Sequence, residues 1–357
     1  MCRMDAATNF WKSRRAVGLW LLGVAGVILF MIGVGGLTRL TGSGLSITEW
    51  KPIMGALPPL NDAQWHDAFE KYKQIPQYLH QNQGMTLDGF KSIFWWEWGH
   101  RFLGRLLGFL FLLPFLLFAA TGAIRRSEWS RFVLLFLLGG LQGFIGWWMV
   151  SSGLEVRTSV SPYRLAIHLG AALVLLAAMV WIGLEYLRGP ASGREQSNRA
   201  HGKGDARRGF AFAGLVYFQM LLGALVAGLH AGFVYNTWPD MNGRVFPEDA
   251  FFHAPWWINF FENEGLVQFN HRMVAYAVAA FAAVIYARGI ALGKLTDGIH
   301  ARNSAKAVAI LTILQVFLGI VTLVLVAPPL LAALHQLMAA FLLCAAIWHA
   351  YELKRLG

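Results

Sequence analysis

Long apolar runs alternate with short polar gaps along this chain. Eight runs of about 20 residues stand out, roughly 16–36, 102–122, 132–151, 164–187, 210–231, 271–292, 305–326 and 331–352. Each is long enough to cross a bilayer, and a backbone in lipid must satisfy its own hydrogen bonds, so each predicts a membrane-spanning helix. Two gaps are long, 37–99 and 232–270, and both are aromatic. In the first, Asn61-Asp62 precedes Trp65, Phe69 and Tyr72 at helical spacing, which predicts a short amphipathic helix over 63–72. The stretch Phe90 to Trp98 is aromatic enough to lie at the membrane interface.

The pattern also repeats. Gly36-Leu37 leads to Trp50-Lys-Pro-Ile-Met-Gly55, and Gly228-Leu229 leads to Trp238-Pro-Asp-Met-Asn-Gly243. Gly99-His100-Arg101 matches Asn270-His271-Arg272, and Leu141-Gln142 to Gly146 matches Leu314-Gln315 to Gly319. Pro162 and Pro329 each precede a histidine, His168 and His335, by 6 residues. The expected architecture is therefore all-α and integral to the membrane: eight transmembrane helices as two tandem four-helix bundles. Residues 1–187 form one half and 209–357 the other. The run 188–208, with Gly189-Pro190 and Ser192-Gly193, reads as a flexible cytoplasmic linker. An even number of helices per half keeps the two halves in one orientation, so the pseudo-twofold should run along the membrane normal.

Composition agrees. The chain is 57% hydrophobic and 14% charged, which excludes an ordinary soluble domain, and its 15 Trp fit interfacial belts. The net charge of +11 invites a nucleic-acid reading. However, the basic residues fall at Arg14–Arg15, Arg125–Arg131, 188–208, 288–306 and Lys354–Arg355. These are both termini and every second gap, as the positive-inside rule requires, so membrane lipid is the expected partner and both termini are expected in the cytoplasm. Residues 16–36 read as an uncleaved anchor with no transit peptide before them. The two cysteines, Cys2 and Cys344, cannot bridge an outer loop.

The candidate chemistry lies in His100, His168, His271 and His335, at matching places near the starts of four spans. A histidine in a span is costly unless bound, and two facing neutral imidazoles per half suit a haem iron better than structural zinc or a hard cation. Hydrogen-bonded packing is the competing role for each. The remaining histidines, His66, His80, His201, His230, His253, His300 and His349, lack repeat partners, so loop or surface roles are expected. Glu97 lies three residues before His100, where it can move protons or orient a reacting group, or merely solvate the interface. Gln268 stands at the matching place in the second half, so the halves are expected to differ, one reacting and one holding a cofactor. Arg101, Arg105 and Arg272 suit haem propionates or simple snorkelling. Gln142 and Gln315 read as packing amides or pocket lining. The Gly33-Val-Gly35-Gly36 stretch packs helices within one chain or between chains, which leaves an oligomer open. No P-loop, Rossmann glycine pattern, HExxH or GxSxG is present.

Several motifs resemble the heme A synthase family of cytochrome oxidase assembly: Glu97-Trp-Gly-His100-Arg101, Gly146 to Leu154, Tyr163 to Gly170, Asn236-Thr-Trp-Pro239, Asn270-His271-Arg272 and Leu334-His335-Gln336. The resemblance covers about residues 16–352. It implies a membrane oxidoreductase that oxidises the C8 methyl of heme O to a formyl, giving heme A for terminal oxidases. It also implies a resident heme b with His271 and His335 as axial ligands. The substrate iron would meet His100 and His168, with Glu97 near the methyl. A bacterial inner membrane is the implied setting, and heme O synthase and cytochrome oxidase assembly factors are implied partners. One branch of the family carries a cysteine pair in the first outer loop; this chain has none there. The competing functions are a bis-histidine b-type cytochrome passing electrons from quinol, and a haem transporter or chaperone.

Overall fold

In a computed structural model, residues 12–51, 54–189, 199–295 and 298–356 are described. Eight long helices carry the chain: α1 (Arg14–Leu40), α2 (Leu87–Ala120), α3 (Trp129–Ser151), α4 (Pro162–Arg188), α5 (Arg199–Gly228), α6 (Glu264–Leu292), α7 (Ile299–Val324) and α8 (Pro329–Leu356). All eight are long and apolar enough to cross a membrane. The chain is thus a multi-pass membrane protein.

The helix starts follow from local chemistry. Asn263 caps α6 by accepting from the Leu266 N–H at 2.8 Å, and Thr86 caps α2 by accepting from Gly89 at 3.2 Å. Pro162 and Pro329 open α4 and α8, where a missing N–H costs nothing. Gly189, at φ +87°, ends α4 in a conformation that a side chain would strain.

The helices form two rings. α1 touches α2 and α4, and α3 touches α2 and α4; α5 touches α6 and α8, and α7 touches α6 and α8. The rings join through α1 with α8, α4 with α5, and α4 with α8. The four joining helices are the most buried: 39% of the apolar stretch of α1 and of α4 lies inside, against 6% for the stretch that includes α3. Apolar side chains on the peripheral helices, such as Leu137 and Phe317, face outward, as a lipid solvent allows. The glycine stretch on α1 packs inside the chain: a Cβ on Gly33 would meet Leu337, on Gly35 His100, and on Gly36 Gln336.

The ends of the rings differ. At the end carrying both termini, ion pairs bind the helices together. Arg14 donates two hydrogen bonds to Glu128 at 2.8 and 2.9 Å, Arg131 pairs with Glu185 at 2.5 Å, Arg188 with Glu352 at 3.2 Å, and Arg288 with Asp205 at 2.8 Å. At the opposite end the two long gaps fold as caps. In the first cap the helix Asp62–Tyr72 appears as its spacing predicts, and Trp65, Phe69 and Tyr72 are all buried. With Leu45, Ile75, Phe90 and Phe94 they form a second small core. Each such side chain contributes roughly 1.5–3 kcal/mol on burial, so the cap is a packed unit rather than a loose loop.

Three expectations change. α2 begins at Leu87, well before the apolar run at 102, so the aromatic stretch 90–98 is helix. Its length of 34 residues spans about 51 Å, more than a bilayer core, and the projecting turns bury Phe90, Phe94 and Glu97 against the cap. α5 begins at Arg199, so ten residues read as linker are helical; Asp205, bound by Arg208 and Arg288, ties that extension to α6. Residues 190–198 of that linker, and Cys2, lie outside the described residues. His349 is buried rather than at the surface, its Nδ1 2.9 Å from the Ser304 hydroxyl.

Candidate functional site

All four repeat-matched histidines lie in the first half of helices that enter from the capped end. His271 and His335 face each other across the second ring, with ring centres 6.5 Å apart and planes at 78°. Two imidazoles whose nitrogens each stand about 2 Å from one metal ion have centres roughly 6 Å apart, so this gap fits one shared ion. His100 and His168 lie within electrostatic reach of each other in the first ring. No group of three or more His, Cys, Asp or Glu side chains gathers among the described residues; the histidines meet in twos.

Each imidazole sits on a glycine of the neighbouring helix. A Cβ on Gly35 would come within 2.9 Å of the His100 Cε1, on Gly146 within 3.0 Å of His168, on Gly223 within 3.1 Å of His271, and on Gly319 within 2.7 Å of His335. Any side chain at these four positions would push the ring away. The glycines are cradles that let a five-membered ring lie against backbone.

Amides hold three of the rings. Gln142, Gln219 and Gln315 each place Nε2 3.1 Å from Nδ1 of His168, His271 and His335 respectively. Gln142 and Gln219 also donate to the backbone carbonyl of their histidine, at 2.7 and 2.9 Å. Each amide contact fixes the orientation of its ring between neighbouring helices. The Oε1 atoms of Gln219 and Gln315 are buried with no partner among the described residues, as is Nδ1 of His100. Gln142 and Gln315 thus contact histidines of the neighbouring helix, at His168 and His335. The sequence pattern singles out neither Gln219 nor Gly223, and marks Gly35, Gly146 and Gly319 only as repeat or packing glycines, although glutamine four residues before glycine recurs at 142/146, 219/223 and 315/319.

Glu97 turns away from this arrangement. It is 3% exposed. One carboxylate oxygen accepts from the Ser46 hydroxyl at 2.8 Å and the Ile47 N–H at 2.7 Å; the other accepts from Arg101 at 2.6 and 3.1 Å. Arg101 also donates to the carbonyls of Ile47 and Glu49. Phe90, Phe94, Glu97 and Arg101 make one stripe facing the cap, while His100 meets α1.

Gln268 and Arg272 do the same work in the second ring. Gln268 donates to the carbonyls of Ala231 and Tyr235 and accepts from Arg272, which also donates to the carbonyls of Tyr235, Thr237 and Asp240. The first cap offers an N–H and a hydroxyl, which suit a carboxylate. The second offers two carbonyls, which suit an amide donor. This chemistry accounts for Glu97 and Gln268 differing.

A cavity of about 400 Å³ opens between the first cap and α2, lined by Glu49, Lys51, Lys71, Arg101 and Arg105 among others. Hydrogen bonds from Lys51 and Lys71 hold the Glu49 carboxyl below its ordinary value. His230 lies at the end of α5 with left-handed backbone, outside both histidine pairs.

We expect Glu97→Ala to loosen the first cap. Removing one partner of a buried pair costs about 3–5 kcal/mol. Tryptic cleavage after Lys73, in the same cap, should accelerate at least about tenfold, because proteolysis follows the population of the opened segment. Unchanged cleavage would refute the anchoring role.

These features define a helical multi-pass membrane protein with two paired-histidine centres under caps at one end. The chain belongs to the COX15-CtaA family of cytochrome oxidase assembly proteins, which it matches over residues 18–347. It is 45% identical over 357 residues to the heme A synthase of Parvibaculum lavamentivorans, covering 99% of this chain and 98% of that one. It is 50% identical over 335 residues to a heme A synthase of Rhodopseudomonas palustris, covering 92% and 86%. With that of Caulobacter vibrioides it shares 48% over 354 residues, covering 98% and 99%.

Proposed function

We propose that this chain is a membrane oxidoreductase of heme A biosynthesis, converting the C8 methyl of heme O to a formyl group. The reading rests on relatives that bear the name heme A synthase along nearly their whole length. The observation that carries it is the His271–His335 pair, spaced for one shared ion over glycine cradles.

In this reading the chain is a duplication, with 1–187 serving the substrate haem and 209–357 holding a resident heme b. The resident haem supplies one-electron redox chemistry when bound. His271 and His335 would hold its iron, each ring oriented by its amide, Gln219 or Gln315. His100 and His168 would receive the iron of heme O. Arg101, Arg105, Lys51 and Lys71 line the cavity under the first cap together with Glu49 and Asp67, and the two arginines there would suit the substrate's anionic propionates. Glu97 acts as a positioning residue, since both its oxygens are engaged by the cap and Arg101. The caps exclude water above the histidines. The rings communicate directly: Gln336, next to His335, donates to the Ile32 carbonyl of α1 at 3.0 Å.

The end with the ion pairs and most basic residues lies in the cytoplasm on this reading, with both termini, in a bacterial inner membrane. Heme O synthase and other cytochrome oxidase assembly factors are the proposed partners. Among the described residues, His100 is the one of the four histidines without an amide partner, so the two pairs are not equivalent. Purification from cells supplied with heme O, followed by pigment extraction, tests the proposal. Heme A should appear alongside heme B. Heme B alone would overturn the reading in favour of an electron-transfer cytochrome.

A further inference from the structure

Three of the four histidine-bearing sites share one device: a glutamine four residues before the cradle glycine, its amide on the imidazole Nδ1. On α1, the helix that cradles His100, the residue four before Gly35 is Met31. Its methyl end reaches α2 one turn beyond His100, where a Cβ on Gly104 would meet Met31 Cε at 3.7 Å. The His100 Nδ1 is buried and has no hydrogen-bond partner among the described residues. A thioether is a weak acceptor on a flexible chain, so it neither fixes the tautomer nor stops the ring turning. A second-shell amide hydrogen bond stops the ring turning.

We infer that Met31 makes His100 the exchangeable ligand of the four. Of the two imidazoles facing the substrate iron, His168 stays and His100 yields. In that exchange the Nε2–iron bond breaks with its electron pair remaining on nitrogen, and one position on the iron becomes open to a small neutral donor. The second ring, with an amide on both imidazoles, keeps its iron closed. The difference between the rings then lies in one side chain of α1. This inference rests on the proposed function above, because it assumes that heme O lies between His100 and His168.

Carbon monoxide binding to the reduced full-length protein, purified from cells supplied with heme O, tests it. Stopped-flow spectra follow each haem separately. Second-shell hydrogen bonds of this kind change metal binding about 10- to 100-fold. The first-ring haem should therefore bind carbon monoxide at least tenfold faster than the second-ring haem. Met31→Gln should slow it by about the same factor, while Met31→Leu should leave it fast. The reciprocal Gln315→Met should open the second-ring haem to carbon monoxide, which keeps the test decisive if Met31→Gln folds poorly. Equal rates at both haems, or a first-ring rate indifferent to Met31→Gln with both haems present, would overturn the inference. A preparation with only the second-ring haem would instead overturn the proposed substrate site, and this inference with it.

Discussion

His271→Ala or His335→Ala empties the second ring. Each imidazole rests on its own glycine, each is held by its own amide, and the 6.5 Å between ring centres leaves room for one ion. Loss of a second-shell partner alone weakens metal binding about 10- to 100-fold. Loss of a direct ligand should therefore cut haem content to below about a tenth of wild type. The check is the reduced-minus-oxidised spectrum, normalised to protein. Phe212 and Val216 of α5 and Leu343 and Ala346 of α8 keep an apolar core without the missing ring, so the helices still assemble and the protein still accumulates in the membrane. Normal spectra in both variants would refute the ligand assignment. Adding a side chain at Gly319 is a milder version of the same experiment, because a Cβ there meets the ring of His335 at 2.7 Å.

The second large effect separates the two rings. His168→Ala removes the better-held imidazole of the first ring, the one that Gln142 grips at both Nδ1 and the backbone carbonyl. A substrate iron without that anchor sits out of register with the rest of the site, and displacement of about 1 Å alone can cost 100-fold in rate. Heme A formation should fall by at least about a hundredfold, while the second-ring haem keeps its spectrum. Heme A at wild-type levels would sink the substrate role. Loss of both haems would mean that the rings are not independent, which the separate glycine cradles argue against.

Much of this arrangement was legible in the residues. The apolar runs, the repeated His-Arg pairs and the prolines six residues before His168 and His335 report local or periodic facts. The helix 63–72 was legible because its buried stripe has helical spacing. The extent of α2 was not, because its outer turns are too polar and aromatic to read as a span. They are helical because Phe90, Phe94 and Glu97 find a cap to pack on. Glu97 shows the limit most clearly. Its spacing to His100 invited a shared role, yet its partners are Ser46 and Ile47, about 50 residues away in the chain.

By itself, the sequence determined the number of spans and the matching register of four histidines in repeated motifs. A backbone in lipid must satisfy its own hydrogen bonds, and repeated motifs are legible in the residues themselves. Only the tertiary structure decided which glycine receives each imidazole and which amide grips it. It also decided that Glu97 bonds to the cap and that the His100 Nδ1 has no partner among the described residues. Those contacts join helices that are neighbours in a ring but 20 to 52 residues apart along the chain at the amide–histidine pairs, and 304 apart where Gln336 joins α8 to α1. No local pattern encodes such a pairing; it exists once the helices have packed.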